Sequence, residues 1–364
     1  LQKSSSGITW SEASFFGARE KVVSDHLGPH DCEKRRVVSV QGKGGPLKGY
    51  PVIMAAGDRG RARPVLGVNK GLLELAGAPV FAHVLASLEQ SPWVDRIYIV
   101  GPREKYLEAL ERPNIPFRGT KQVEVLQQRE TLYQNIWQAF EKLLEDEVGR
   151  ECSVDPESIV AMIVPCDIPL LVPEEINEFV TGCDMSRYDY VVGISSSETL
   201  SRYYPQKHRR GIRLMCFHVR EGSYRQNNLH LVRPLKVGNR HYIQKIYDYR
   251  LQREWSSIVR LLWEMFKVEE ATMATATWYM LLHLAAMLHR VPRVRLYRIP
   301  AWCMTKDRLE RSVSRLLRTR FSSVETHLGG AALDIDTPEH YGIIQENFEA
   351  WINMQREMAR GGQS

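Results

Sequence analysis

Between Tyr50 and Ile194 the chain repeats one alternation: a short apolar run, a turn, then a stretch with apolar residues at helical spacing. The runs are Pro51–Ala56, Arg96–Gly101, Val123–Leu126, Ile159–Val164 and Tyr190–Ile194. Runs this short and this apolar read as strands buried on both faces. The stretches between them are Pro79–Leu88, with a proline at its start, Glu104–Glu111, Thr131–Glu147 and Glu174–Thr181. Leu132, Ile136, Phe140, Leu143 and Leu144 form a helical stripe in the third. Strands joined through helices are the connection that parallel pairing demands. The pattern therefore predicts an α/β fold, a doubly wound, mostly parallel sheet. Such sheets bind ligands at the carboxyl ends of their strands.

The flanks are different. Residues 1–49 hold turn-rich and charged stretches, with Val37, Val38 and Val40 as one edge-strand candidate, and read as a peripheral arm. Residues 50–195 form the alternating half. From 196 to 328 the alternation breaks, with strand candidates at Met215–Val219 and Leu229–Val232, a helical stretch at 254–290 and a basic helix at Arg308–Arg320. This segment reads as a largely helical insertion. Residues 329–364 close the chain: Leu333–Asp336 as a short strand or turn, then a helix capped by Thr337 with Pro338 at its first position.

Composition narrows the function. With 43% hydrophobic and 25% charged residues in 364, fibrous and disordered classes are excluded. A net charge of +6 favours anionic ligands and is too weak to point to nucleic acid. Cys32, Cys152, Cys166, Cys183, Cys216 and Cys303 show no metal-ligand spacing, which suggests a reducing, cytoplasmic setting. No leader is recognisable in a chain that opens at Leu1 rather than Met. Ala271–His289 lacks Asp, Glu, Lys and Arg and reads as a buried helix; with the basic flank after it, 271–320 is also open to contact with an anionic membrane surface.

Several constellations carry chemistry. After the first run comes a glycine- and arginine-rich loop, Gly57 to Lys70, with Arg59, Arg61 and Arg63. Backbone N–H groups at a strand end, free of side chains and ringed by positive charge, suit phosphate; a solvated basic turn is the alternative. After the fourth run, Asp167 precedes Ile168 and Pro169. A carboxylate at a buried strand's end suits a hard cation, and Mg²⁺ takes one or two carboxylates plus phosphate oxygens and water; a turn aspartate is the alternative. Asp334 and Asp336 precede the last helix, where they serve either a metal or the helix start. Thr131 and Asn135 sit at the start of the third helix, where a cap and a helix-face amide are the alternative. Arg213, Arg225 and Asn228 belong to a basic, amide-rich stretch that suits phosphate and hydroxyl recognition or forms a solvated face.

The stretch from Met54 to Pro79 resembles the signature of the MobA-like NTP transferases, the sugar-phosphate and molybdopterin nucleotidyltransferases of GT-A-type fold. Their pattern is A-A-G-x-G-x-R, a variable loop, then K-x-L-x-x-x-x-G-x-P. Ala55, Ala56, Gly57, Arg61, Lys70, Leu72, Gly77 and Pro79 match it. Arg59 stands where the second glycine belongs, with Gly60 displaced by one, and Cys166 replaces a small residue in the G-D-x-P-L-L element. Leu333–Tyr341 is similar to the D-I-D-T-P-E-D-Y or D-I-G-T-P-E-x-Y element that closes such domains, with Asp336 at the position that is glycine in the second form. The resemblance implies transfer of an NMP group from an NTP to a phosphorylated sugar, polyol or cofactor precursor, releasing pyrophosphate with Mg²⁺ or Mn²⁺. It implies that Lys70 and Arg61 stabilise phosphate charge. Ala55, Ala56, Gly57, Arg59, Thr131 and Asn135 would border the nucleotide. Asp167 and Asp334, with Asp336 beside them, would hold the metal, and Arg213, Arg225 and Asn228 would meet the acceptor. A nucleotide-sugar glycosyltransferase using Asp334-Ile335-Asp336 as its D-x-D, a non-catalytic nucleotide-binding module and a basic scaffold are the rival readings.

Overall fold

The computed structural model describes residues 49–59, 64–150, 154–240 and 304–361. Arg61, the arm and the 254–290 and 271–289 stretches lie outside them. Strands and helices are numbered among the described residues.

Strand β1 (Tyr50–Ala55) is the centre of the architecture. It pairs in parallel with β4 (Val94–Gly101) on one side and β6 (Ala161–Pro165) on the other, and β4 continues in parallel to β5 (Gln122–Gln127). The sheet order is β10 (Phe321–Glu325), β7 (Tyr190–Ser196), β9 (Gly222–Val232), β6, β1, β4, β5, with β8 (Phe217–Val219) paired to β9, and the short strands β2 (Glu74–Leu75) and β3 (Ala78–Pro79) pair separately. The order reverses beside β1, the arrangement of a doubly wound sheet.

The period-two alternation of the strands builds two cores. Val52 and Met54 of β1, Ile97 and Ile99 of β4, and Met162 and Val164 of β6 face helix α1 (Val80–Gln90) and helix α4 (Pro173–Gly182). Ile53, Tyr98, Val100 and Ala161 face the opposite way, onto Ala139, Phe140 and Leu143 of helix α3 (Leu132–Arg150). Each such apolar side chain, fully buried, stabilises the fold by about 1.5–3 kcal/mol. Helix α2 (Arg103–Leu110) follows β4 and sends Tyr106 into the first core, edge-on to Phe81 at 4.8 Å between ring centroids.

The remaining half contains a departure from the simple alternation. Strand β9 (Gly222–Val232) runs antiparallel between β6 and β7 (Tyr190–Ser196), and β8 (Phe217–Val219) folds back on it. Strand β10 (Phe321–Glu325) then pairs in parallel with β7 at the edge, preceded by helix α6 (Lys306–Leu317), while Ser197–Ser201 forms the short helix α5. The segment from 196 to 328 thus supplies three strands of the main sheet, β8, β9 and β10, and its middle, 241–303, lies outside the described residues. Helix α7 (Pro338–Gly361) closes a third core of Leu73, Leu170, Tyr203, Ile335, Ile344 and Trp351. Its proline sits at the first helical position and Thr337 Oγ1 accepts the His340 N–H at 3.1 Å, as a capping threonine should. Among the described residues no helix is long and apolar enough to cross a membrane.

Candidate active site

The strand register brings the functional segments to one edge. Ala55 lies opposite Val100 and Pro165, and Gly101 lies opposite Gln127. The loops that leave β1, β4, β5 and β6 therefore emerge together. Ala56 donates its N–H to Val100 O at 2.9 Å, and Cys166 donates to Ala55 O at 3.0 Å, so the loop leaving β1 begins on fixed backbone. A Cβ on Gly57 would lie 2.8 Å from Asn135 Nδ2 and 3.1 Å from Gln128 Oε1, so a side chain at this step would displace both amides. Gln128 receives the Asp58 N–H at 2.8 Å and donates back to Asp58 Oδ1 at 2.6 Å. Beyond it Arg59 reaches across to Glu130 at 2.7 Å, an exposed pair of little energetic weight. A cleft of about 370 Å³ opens here between Asp58, Arg59, Pro102, Arg103 and Gln127.

Lys70 opens a short 3₁₀ turn, Lys70–Leu72, and Asn69 before it is nearly buried. Asn69 Oδ1 accepts from Gly71 N–H at 2.9 Å and from the Tyr106 hydroxyl at 3.0 Å, while its Nδ2 donates to Ala56 O at 3.0 Å. One amide thus ties the loop after β1 to the turn that carries Lys70. Lys70 Nζ lies 3.1 Å from Asp167 Oδ2 and 2.8 Å from Asp336 Oδ1. Residues from three distant parts of the chain meet at one ammonium group.

The second acidic segment arrives by the same alternation that builds strands: Leu333 and Ile335 enter the core under α7, leaving Asp334 and Asp336 on the other side. The segment is an irregular loop rather than a strand. Ile335 donates its N–H to Asp167 O at 3.0 Å, which sets the two acidic segments side by side. Asp334 accepts from Arg225 Nη2 at 2.9 Å, and Arg225 Nε also reaches Ala332 O at 3.3 Å. Asn228 donates to Ala331 O at 2.8 Å. Arg225 and Asn228 therefore touch the acidic loop, while Arg213 is exposed, with its guanidinium 5.6 Å from the Tyr204 ring centroid. Thr131 forms a reciprocal capping box with Gln134, at 3.1 and 3.2 Å, and Asn135 Oδ1 accepts the Arg129 N–H at 2.6 Å.

The electrostatics show a surplus of acid. Burial works against the Lys70 ammonium, yet Asp167 and Asp336 outweigh it and hold its pKa above the ordinary lysine value. Burial, with Asp334 and Asp336 nearby, raises the Asp167 carboxyl against the pull of Lys70. Burial is the larger cause for Asp167, and the neighbouring carboxylates add to it while they hold the Lys70 proton in place. Among the described residues no three His, Cys, Asp or Glu side chains converge as a ready cage. Mg²⁺ does not need one, since it takes one or two carboxylates and completes its shell with water and phosphate. The under-neutralised oxygens of Asp167, with Asp334 beside them, fit such an ion.

Sequence reasoning picked out Lys70, Asp167, Asp334 and Asp336, and the structure brings these four together. It did not pick out Asn69, Tyr106 or Gln128. Asn69 is adjacent to Lys70 and could have been read as a turn cap; Tyr106 carries no local signal, because its partner Asn69 is 37 positions away.

Comparison with known proteins follows the same line. The family model of the MobA-like NTP transferase domain matches residues 51–264. Two curated relatives are 2-C-methyl-D-erythritol 4-phosphate cytidylyltransferases. That of Chlorobium phaeobacteroides is 26% identical over 132 residues, 36% of this chain and 50% of its own. That of Halalkalibacterium halodurans is 37% identical over 65 residues, 18% of this chain and 28% of its own. The chain thus spans half or less of the length of these relatives. Among solved structures, a hypothetical transferase from Thermus thermophilus superposes with a TM-score of 0.49 at 19% identity, covering 80% of this chain and 99% of that one. The 4-diphosphocytidyl-2C-methyl-D-erythritol synthase of Anaerococcus prevotii superposes with a TM-score of 0.41 at 11% identity, covering 83% and 99%. The family match begins within the central strand and takes in the glycine loop, Lys70 and Asp167, over more than half of the sequence, and the chain belongs to the MobA-like NTP transferase domain family.

Proposed function

We propose that the protein is a nucleotidyltransferase that moves an NMP group from an NTP onto a phosphorylated small-molecule acceptor and releases pyrophosphate. Cytidylyl transfer to a sugar or polyol phosphate is the specific form that the curated relatives suggest. The observation that carries the reading is the meeting of Lys70 with Asp167 and Asp336 at the carboxyl edge of β1 and β6. The acceptor phosphate attacks the α-phosphorus in line as pyrophosphate leaves, so no protein nucleophile is required. Positioning and neutralisation of charge supply the catalysis. Backbone at Ala55, Ala56 and Gly57 meets the nucleotide, and Lys70, with Arg61, offsets negative charge on the leaving phosphates. Asp167 and Asp334, with Asp336 beside them, are the residues that would hold Mg²⁺ or Mn²⁺, an ion that screens phosphate repulsion when bound. Arg213, Arg225 and Asn228 are assigned to the acceptor side. Cys166, Cys183 and Cys216 are free thiols, which suits a reducing, cytoplasmic setting.

The test is a pyrophosphate-release screen of the common NTPs, CTP first, against phosphorylated sugars and polyols with Mg²⁺. Lys70→Ala and Asp167→Ala are each expected to lower kcat at least 100-fold in folded protein. Release of a nucleoside diphosphate from a nucleotide-sugar, or wild-type rates in both variants, would replace this reading.

A further inference from the structure

Glu175 is a carboxylate with no exposure to solvent. It stands in the first turn of α4, the helix that follows the Asp167 segment. The partners it is given are not cations. Its Oε1 accepts from the Thr326 hydroxyl at 2.9 Å and from Gly329 N–H at 3.1 Å, and its Oε2 accepts from Ala331 N–H at 2.9 Å. All three donors belong to the segment that leaves β10 and runs to Asp334 and Asp336. Thr326 is further held by Asn227 Nδ2 at 3.0 Å, on β9.

Burying a carboxylate costs several kcal/mol unless its oxygens are well satisfied. An apolar side chain would fill this space without that penalty. What the carboxylate adds is three directed bonds to one loop, fixing the Thr326 side chain and the backbone at residues 329 and 331. The loop then continues through Ile335, whose N–H sits on Asp167 O.

We propose that Glu175 is a positioning residue for the acidic half of the site: by pinning the 326–331 segment it sets Asp334 and Asp336 against Asp167 and Lys70. This rests on the nucleotidyltransferase reading, because only there does the placement of these acids control turnover. Glu175 itself touches none of the four residues in the contacts described, so its effect passes through the loop.

The test uses the full chain and two readouts. In Glu175→Gln the acceptor atoms for Thr326 and Gly329 are kept and an NH₂ group is turned towards the Ala331 N–H. Amide hydrogen exchange without any ligand is expected to rise at least tenfold at Gly329 and Ala331, and also at Ile335, which Glu175 does not touch. Half-saturating Mg²⁺ in the CTP assay is expected to rise at least tenfold. Glu147→Gln, which weakens the remote buried pair with Arg96 (2.7 Å), serves as a control that lowers stability and leaves the Mg²⁺ requirement unchanged. Should Glu175→Gln fail to fold, Thr326→Val removes one of the three donors to Glu175, together with the acceptor of Asn227 Nδ2, and is expected to move both readouts the same way, by about threefold. Faster exchange confined to Gly329 and Ala331, with Ile335 protection as in the wild type, overturns the proposal and leaves Glu175 a local structural residue. Absence of turnover in the wild type would defeat the functional reading alone, since the Ile335 exchange is measured without it.

Discussion

Gly71→Ala should be far more damaging than its chemistry suggests. Gly71 does not occupy a left-handed conformation, so alanine there would ordinarily be neutral or stabilising by up to about 1 kcal/mol. Here the new methyl group would intrude on the Tyr106 hydroxyl, 2.7 Å from Cys166 Sγ and 3.3 Å from Cys166 Cβ. Neither neighbour is free to give way. Tyr106 is wholly buried against Phe81, its hydroxyl donates to Asn69 Oδ1, and the same hydroxyl lies 3.6 Å from Cys166 Sγ. Overpacking of this kind costs about 1–3 kcal/mol. The Lys70–Leu72 turn must move to relieve it, and Lys70 moves too. The experiment is a cycle of four proteins unfolded in urea: wild type, Gly71→Ala, Tyr106→Phe with Cys166→Ala, and all three changes together. Removing the hydroxyl and the sulfur takes away both contacts under 3.0 Å, so Gly71→Ala should cost less than about 0.5 kcal/mol in that background, a coupling of about 0.5–2.5 kcal/mol. An equal cost in both backgrounds would refute the steric argument.

Two buried acids give opposite pH signatures. Burial pushes the Glu175 carboxyl from 4.5 up to about 7 against the pull of its three donors. The folded chain therefore binds this proton more tightly than the unfolded one, and the group's contribution, roughly 3 kcal/mol, is present below pH 4.5 and lost as the pH rises through 7. Glu175→Gln should flatten that part of the stability–pH curve, as read by denaturant midpoints. Asp189 receives the Arg320 guanidinium at 2.6 and 2.7 Å, and these bonds hold its carboxyl below the usual range. Its contribution is present above pH 4 and lost as the pH falls further, so Asp189→Asn should lower Tm at pH 7 and converge with the wild type near pH 3. At the site, Asp334 is nearly buried and held by Arg225, whereas the Asp336 side chain is 49% exposed and engaged with Lys70. Asp334→Asn should raise half-saturating Mg²⁺ at least tenfold, while Asp336→Asn should chiefly change KM for the nucleotide.

The sheet was legible because its strands are apolar on both faces. Val52 and Met54 serve one core and Ile53 the other, so β1 shows as an unbroken run. Strand β9 was visible only in its last four residues, Leu229–Val232. Its first half, with Tyr224, Arg225, Gln226 and Asn227, carries the polar groups that reach Asp334 and Thr326, and so it looks like a loop. That chemistry also hid the fact that the stretch after Ser195 returns to the sheet between β6 and β7. Lys70, Asp167 and Asp334 were readable as motifs because each carries its own local context of glycine or proline. The residues that hold them in register act across long loops: Tyr106 meets Asn69 over 37 positions, and Glu175 meets Ala331 over 156. No periodicity in a single sequence marks such a pair.

The charges at the site also bear on what it can admit. Asp167, Asp334 and Asp336 face Lys70 and Arg225, and both cations are already engaged by these acids. On the proposed reading, a bare triphosphate entering this edge would meet three carboxylates whose nearest cations are already paired. A nucleotide complexed with a divalent cation would bring the carboxylates a counter-charge and free Lys70 for the phosphates. On the proposed reading, the double pairing of Lys70 is therefore part of substrate selection: the same acids that hold the ammonium in the free protein favour the metal-complexed nucleotide over the free one.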